Sequence, residues 1–258
     1  MNLEVLLSTM HCDNLDFLSD INLDSDCIVI NQFGSIPTGD YKYKNYTVKI
    51  FSFPEKGVGL SRNTALMRTT AEIAIFADND VVFSDNYRNI ILDNFKSNPT
   101  ADVILFNVPS LNPPRPTALI KRASRLNKFN CLKYGAVNIA IKTECIKKKN
   151  IYFSLLFGGG APYSSGEDSL FLLTCLKQKL KVFASPEIIG YVKQEESSWF
   201  SGYNKKYLFD KGVFWAAALG KKGYLYCLQD VIRHYKSWNL SISFLKAFHI
   251  MFLGWKSF

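Results

Sequence analysis

Apolar residues in the first hundred positions fall into short runs of strand length, separated by stretches with helical spacing. Leu3–Leu7, Cys27–Ile30, Tyr46–Phe51, Glu72–Phe76 and Asp102–Phe106 predict five strands. Between them Asp13–Leu18, Val58–Arg68 and Asn86–Phe95 predict helices. This rhythm predicts an α/β fold, a doubly wound sheet of Rossmann-like type flanked by helices, with its ligand crevice beyond the carboxyl ends of the strands. Further on, Ala136–Ile141, Lys181–Phe183 and Ile188–Val192 predict strands, and Glu167–Leu180, Tyr203–Leu219 and Tyr224–Tyr235 predict helices. Pro109–Pro116, with four prolines, excludes helix and predicts a mobile connection. Residues 240–256 are almost unbrokenly apolar. They read equally as a helix in a membrane interface or as a terminal helix packed on the core. The expected organisation is one domain over residues 1–220, in halves 1–107 and 108–220, followed by a C-terminal helical segment over 221–258.

Composition narrows the classes. Of 258 residues 48% are hydrophobic and 21% charged, which excludes disordered and collagen-like chains. Lys and Arg outnumber Asp and Glu by 31 to 22, a net +9 that favours polyanionic partners. The lysine runs 147–149, 205–206 and 221–222 are short and scattered, so no nucleic acid is expected as a partner. The six cysteines form no CxxC pair and sit in apolar runs, as reduced buried thiols do. No signal core follows Met1 and no apolar run reaches the ~18 residues of a span, so the expected location is the cytoplasm.

Three stretches carry candidate chemistry. The predicted strand 72–76 runs into Asp78-Asn79-Asp80, two carboxylates one residue apart. Hard oxygen ligands of this kind suit Mg²⁺ or Mn²⁺, and they also suit a simple acidic turn. Upstream, Gly59-Leu60-Ser61-Arg62-Asn63 opens a helix, where glycine allows close approach and the N-terminus favours anions. Downstream, the glycine-rich stretch 157–166 leads into Glu167-Asp168 at a helix start. Carboxylates there offset the helix dipole, or one of them projects as a general base. His11 reads either as a cleft residue or as a helix-entry residue.

In their order and separation these motifs resemble those of the family 2 glycosyltransferases of the GT-A fold, of the type that builds bacterial surface polysaccharide. The resemblance runs from about residue 3 to residue 200. It implies a nucleotide-sugar-binding half in 1–107 and an acceptor-binding half in 108–220. It implies an inverting enzyme moving a sugar from a nucleoside-diphosphate sugar, a UDP-sugar foremost, to a glycan or lipid-linked glycan. Carried over, Asp80 is the main ligand of a Mn²⁺ or Mg²⁺ ion with Asp78 as its companion. Asp168 is the base with Glu167 in support. Ser8, Thr9, Asn31, Gly59, Arg62, Asp78, Asn79 and Lys193 form the donor site, with Arg62 near the nucleobase. Gly166, Tyr163 and Trp199 meet the acceptor. The family's second strand often ends in an acidic motif that reads the base. Here it ends in Asn31-Gln32-Phe33-Gly34, where an amide offers both the donors and the acceptor that a uracil edge needs. The charge and the apolar terminus together imply peripheral contact with the inner membrane face. Two other classes share some of these features. A nucleotidyltransferase needs a glycine-rich loop after the first strand, and Leu7–Asp13 has no glycine. A non-catalytic basic membrane- or nucleic-acid-binding module needs its cations gathered on one face.

Overall fold

The computed structural model describes residues 1–113, 116–194, 202–239 and 241–258. Among these, the strands and helices in chain order are β1 (Leu3–Met10), α1 (Phe17–Asp20), β2 (Asp26–Gln32), β3 (Gly39–Tyr43), β4 (Tyr46–Phe53), α2 (Val58–Arg68), β5 (Ile73–Asp78), β6 (Val81–Phe83), α3 (Tyr87–Ser97), β7 (Val103–Asn107), β8 (Ser124–Arg125), β9 (Ile139–Lys142), α4 (Thr143–Lys148), α5 (Glu167–Lys177), β10 (Val182–Ile188), β11 (Gly190–Val192), α6 (Lys205–Leu219), α7 (Gly223–His234) and α8 (Phe244–Lys256).

The main sheet is mixed, in the order β3-β4-β2-β1-β5-β9-β7-β10-β8. Strands β4, β2, β1 and β5 run parallel, whereas β9 lies antiparallel between β5 and β7. Side-chain alternation splits the core between the two faces. Leu6, Ile28, Ile30 and Phe76 pack on one side with α2, α5 and α6, while Val5, Leu7, Val29 and Ile75 pack on the other with α1 and α3. Consecutive strands β2 and β4 are laid outward on one side of β1, and β5 on the other. The chain therefore changes direction between β1 and β5, and a crevice opens at their carboxyl ends. In the β1–β5 register Ser8 stands opposite Asp78.

Several boundaries differ from expectation for identifiable reasons. Strand β3, an edge strand with alternating half-buried and exposed residues, offers no apolar face to read. The helix expected over 13–18 is the short α1, because Asp13 instead accepts bonds from the Ser35 amide and hydroxyl. The strand expected over 136–141 begins at Ile139. The Asn138 amide bonds Phe106 O and Gly135 N, which holds residues 136–138 in a tight turn. Helix α5 stops at Lys177, where Lys179 at φ 64° and the Leu180 N to Cys175 O bond close its end. Among its described residues the proline-rich connection contains no helix. Its described part is tied down rather than loose, by Leu111 N to Val192 O and Asn112 Nδ2 to Gln194 O.

The apolar terminus packs on the core. Helix α8 starts at Phe244 on a Ser243 cap and crosses α6 at two glycines. A Cβ on Gly212 would stand 1.9 Å from Met251 O, and one on Gly254 would stand 2.1 Å from Phe209 O. Ala247 and Met251 are fully buried on that side. Among the described residues no helix is long and apolar enough to cross a membrane. All six cysteines are free thiols.

Because backbone atoms block the added methyls, Gly254→Val is expected to destabilise the chain by about 3 kcal/mol or more in urea unfolding, the upper end of overpacking costs. A change below about 0.5 kcal/mol, the scale of a neutral surface substitution, would mean α8 is not docked there.

Candidate active site

The centre of the crevice is Arg62, on the second turn of α2. Its side chain is 5% exposed, and its guanidinium meets three carboxylates from two distant parts of the chain. Nη2 donates to both oxygens of Asp78, at 3.2 and 3.0 Å. Nη1 donates to Glu167 at 3.1 Å and to Asp168 at 2.9 Å. The ring of Phe153 lies 5.4 Å from the guanidinium carbon. Burial alone lowers the affinity of Arg62 for its proton, but the charges of Asp78, Asp168 and Glu167 outweigh it and drive the pKa up. Arg62 is thus a fixed cation. Its guanidinium is turned toward the acidic cluster.

Its neighbours on α2 each have a job. The Ser61 hydroxyl donates to Ser8 Oγ at 2.8 Å, pinning α2 to the end of β1. Asn63 exchanges two hydrogen bonds with the Phe153 backbone, at 2.8 and 2.9 Å. Gly59 is a packing residue rather than an anion cradle, since a Cβ there would lie 2.5 Å from Ser154 O. These contacts hold the 153–160 segment over α2, and Val58 N donates to Gly159 O at its start.

The glycine-rich segment then delivers Glu167 and Asp168 to Arg62. Gly158, at φ 104°, lies against the Glu167 carboxyl, where a Cβ would come within 2.8 Å. Gly166, at φ 121°, has the Phe214 ring where a Cβ would be, at 2.5 Å. No other residue suits either position. Tyr163 closes the segment, packing on Phe157 with centroids 5.1 Å apart while Gly158 N donates to Tyr163 O. Burial, with the Glu167 charge added, raises the Asp168 carboxyl from an ordinary 3.8 to about 8, against the pull of Arg62. Asp168 remains 23% exposed, so it is open to a substrate.

On the other side of the crevice, β6 pairs with β11 to staple the turn that follows Asp78. Gly190 permits this, since a Cβ would sit 2.6 Å from Val82 O. Asp80 O accepts from Lys193 N at 2.9 Å, which brings Lys193 beside the acidic turn. Asn79 is exposed, and Asp78 and Asp80 are half-buried. Among the described residues no three His, Cys, Asp or Glu side chains form a metal cage. Asp78 and Asp80 nevertheless fit a cation that completes its shell with phosphate oxygens and water, as Mg²⁺ and Mn²⁺ do.

The donor side departs further from expectation. Ser8 and Thr9 are nearly buried, Ser8 bonded to Ser61 and Thr9 Oγ1 2.9 Å from Cys12 Sγ. Asn31 is fully buried, with its amide oxygen accepting from Cys12 N and its nitrogen donating to Cys12 O. It latches the β1 loop. What does face outward is a pair the sequence did not disclose as such. His11 and Phe33, at φ 55° and 56°, stack with ring centroids 5.8 Å apart at the ends of β1 and β2. An exposed Phe in the left-handed region is the signal that marks this position. Trp199 lies outside the described residues.

The fold is that of the GT-A glycosyltransferases. It is similar to S. aureus TarS 1–349 in complex with UDP-GlcNAc, at a TM-score of 0.65 and 15% identity, covering 92% of this chain and 73% of that one. A second TarS 1–349 structure gives 0.64 and 12%, over 100% and 92%. The Pyrobaculum calidifontis mannosyltransferase PcManGT, in complex with GDP-Man and Mn²⁺, gives 0.55 and 9%, over 99% and 74%. No curated protein matches the sequence. The family model for glycosyl transferase family 2 matches residues 37–147, which together with the shared fold supports a family 2 glycosyltransferase. The match includes Arg62 and the Asp78–Asp80 turn but ends before Glu167 and Asp168.

Asp168 holds its proton well above the usual carboxylate range, so any step that needs its ionised form gains as pH rises. Turnover is therefore expected to rise with pH through neutrality rather than level off near pH 5. Glu167→Gln removes a charge that raises Asp168 and should move the acid limb of kcat/KM to lower pH. An unmoved limb would show that the limb does not report Asp168.

Proposed function

We propose that the protein is an inverting, metal-dependent glycosyltransferase that moves a sugar from a nucleoside-diphosphate sugar, a UDP-sugar foremost, to a hydroxyl of a glycan or lipid-linked glycan. One observation carries this reading. The acidic turn after β5 and the acidic pair opening α5 are gripped by the same guanidinium, so they face one crevice. Donor and acceptor chemistry need just such opposed groups.

In this reading the nucleobase lies against His11 and Phe33, and the diphosphate points at Asp78-Asn79-Asp80 and Lys193. Asp80, with Asp78, would hold the ion, which when bound neutralises charge on the departing diphosphate. The acceptor hydroxyl, lodged between Tyr163 and Gly166, attacks the anomeric carbon opposite the leaving group and inverts it. Asp168 takes the hydroxyl proton as the new bond forms. Its raised proton affinity suits it to accept that proton near neutral pH better than an ordinary aspartate would. Glu167 and Arg62 fix its orientation.

Asp168→Asn is expected to lower sugar transfer by about 10²–10⁴-fold, the usual range for a general base, with UDP binding retained. Asp80→Ala should abolish the Mn²⁺ dependence of UDP binding in isothermal titration. Normal transfer rates in both variants would end the assignment.

Peripheral contact with an anionic membrane belongs to the same proposal, but its support moves from the terminus to α7. There Leu225, Leu228 and Ile232 are exposed at helical spacing on one face, close to Lys221 and Lys222. Sedimentation with phosphatidylglycerol vesicles tests it on the full chain: Leu225→Ser with Ile232→Ser should cut the bound fraction severalfold, and equal partition refutes it.

A further inference from the structure

A cavity of about 610 Å³ opens beside the turn that carries Asp168. Gly166 and Ser169, on either side of Asp168 in the sequence, form one wall, and the other walls come from the 129–133 segment, α6 and α7. Its size suits one or two sugar units. Its ionisable groups are Lys133, Lys211, Arg233 and His234, and no carboxylate is among its described lining residues. The charged side chains of its described lining are thus all cationic, with Asp230 standing behind Lys211.

The cations are presented in different ways. Lys211 is fixed from behind: its Nζ lies 3.8 Å from Asp230 and over the Phe214 and Trp215 rings. Asp230 also accepts from Trp215 Nε1 at 2.7 Å, which sets the indole in the wall. Lys133 and Arg233 are exposed, and among the described residues neither has a carboxylate partner. Phe129, 74% exposed at the rim, adds an aromatic face. Unpaired Lys and Arg around an aromatic-walled pocket match a ligand that combines a sugar ring with a strong multivalent anion.

We propose that this cavity is the acceptor subsite and that the acceptor carries a phosphate group near the hydroxyl that is glycosylated. The inference rests on the glycosyl transfer reading for its place in the reaction, because only there does a ligand beside Asp168 become the acceptor. A phosphate, with about two charges and three acceptor oxygens, answers to Lys133 and Arg233, which a neutral glycan would leave without a counter-charge. The proposal also gives the excess basic charge of the chain a local purpose.

The test uses the full chain with UDP held saturating, so that phosphate probes are kept out of the donor site. Binding of glucose 1-phosphate, glucose and glucuronate is followed by ligand-observed NMR. Glucose 1-phosphate is expected to bind at least about tenfold more tightly than glucose, with an affinity that falls as salt rises. The double variant Lys133→Gln/Arg233→Gln, both at exposed positions, should weaken glucose 1-phosphate about tenfold and leave UDP affinity unchanged. Equal binding of glucose and glucose 1-phosphate, no binding of either, or an unaffected double variant overturns the proposal. Glucuronate binding as tightly as glucose 1-phosphate overturns its phosphate part. Absence of UDP binding would count against glycosyl transfer instead, and the variant comparison would still read the cavity.

Discussion

A buried guanidinium with three carboxylates around it is the constraint on which the rest of this structure turns. An unpaired charge of this kind is costly inside a protein, and removing one partner of a buried pair typically costs 3–5 kcal/mol. Arg62 is stable where it sits because Asp78, Glu167 and Asp168 surround it. They come from positions 78, 167 and 168, so the pairing ties the first half of the sheet to the start of α5. Closing the crevice and satisfying Arg62 are the same event.

The supporting contacts follow from that. Ser61 and Asn63 flank Arg62 and bond outward, one to β1 and one to the Phe153 backbone, so the guanidinium is aimed from both sides. Gly158 and Gly166 let the intervening segment come close enough to deliver its carboxylates. Three carboxylates face one guanidinium, so they compete for a single positive charge. Asp168, hemmed in by Glu167 and partly desolvated, responds by holding a proton more tightly. A bound cation at the Asp78–Asp80 turn would add positive charge to the same cluster.

The helical layer serves the other half of the site. Helix α6 lies between α8, which it meets through Gly212 and Gly254, and the loop that holds Asp168. Phe214 of α6 packs on Gly166, and the same helix contributes Lys211 and Trp215 to the basic cavity. The apolar terminus thus acts on the site at one remove, by bracing α6.

The sequence by itself determined the layered α/β architecture, the chemistry-bearing dipeptides and their order, because strand-length apolar runs and helix starts are local features. Helix α2 was legible to the residue, since its spacing and its glycine start agree. What tertiary structure decided was the direction each polar side chain faces. Asn31 and Arg62 read as donor contacts along the chain, yet one is latched to Cys12 and the other is enclosed by acids. Gly59 read as room for an anion, whereas the room is taken by Ser154 O. Edge strand β3, the His11–Phe33 stack and the cavity between α5, α6 and α7 had no local signature. Each exists only through contact between segments far apart in sequence, and pairing of that kind is not written in any one of them.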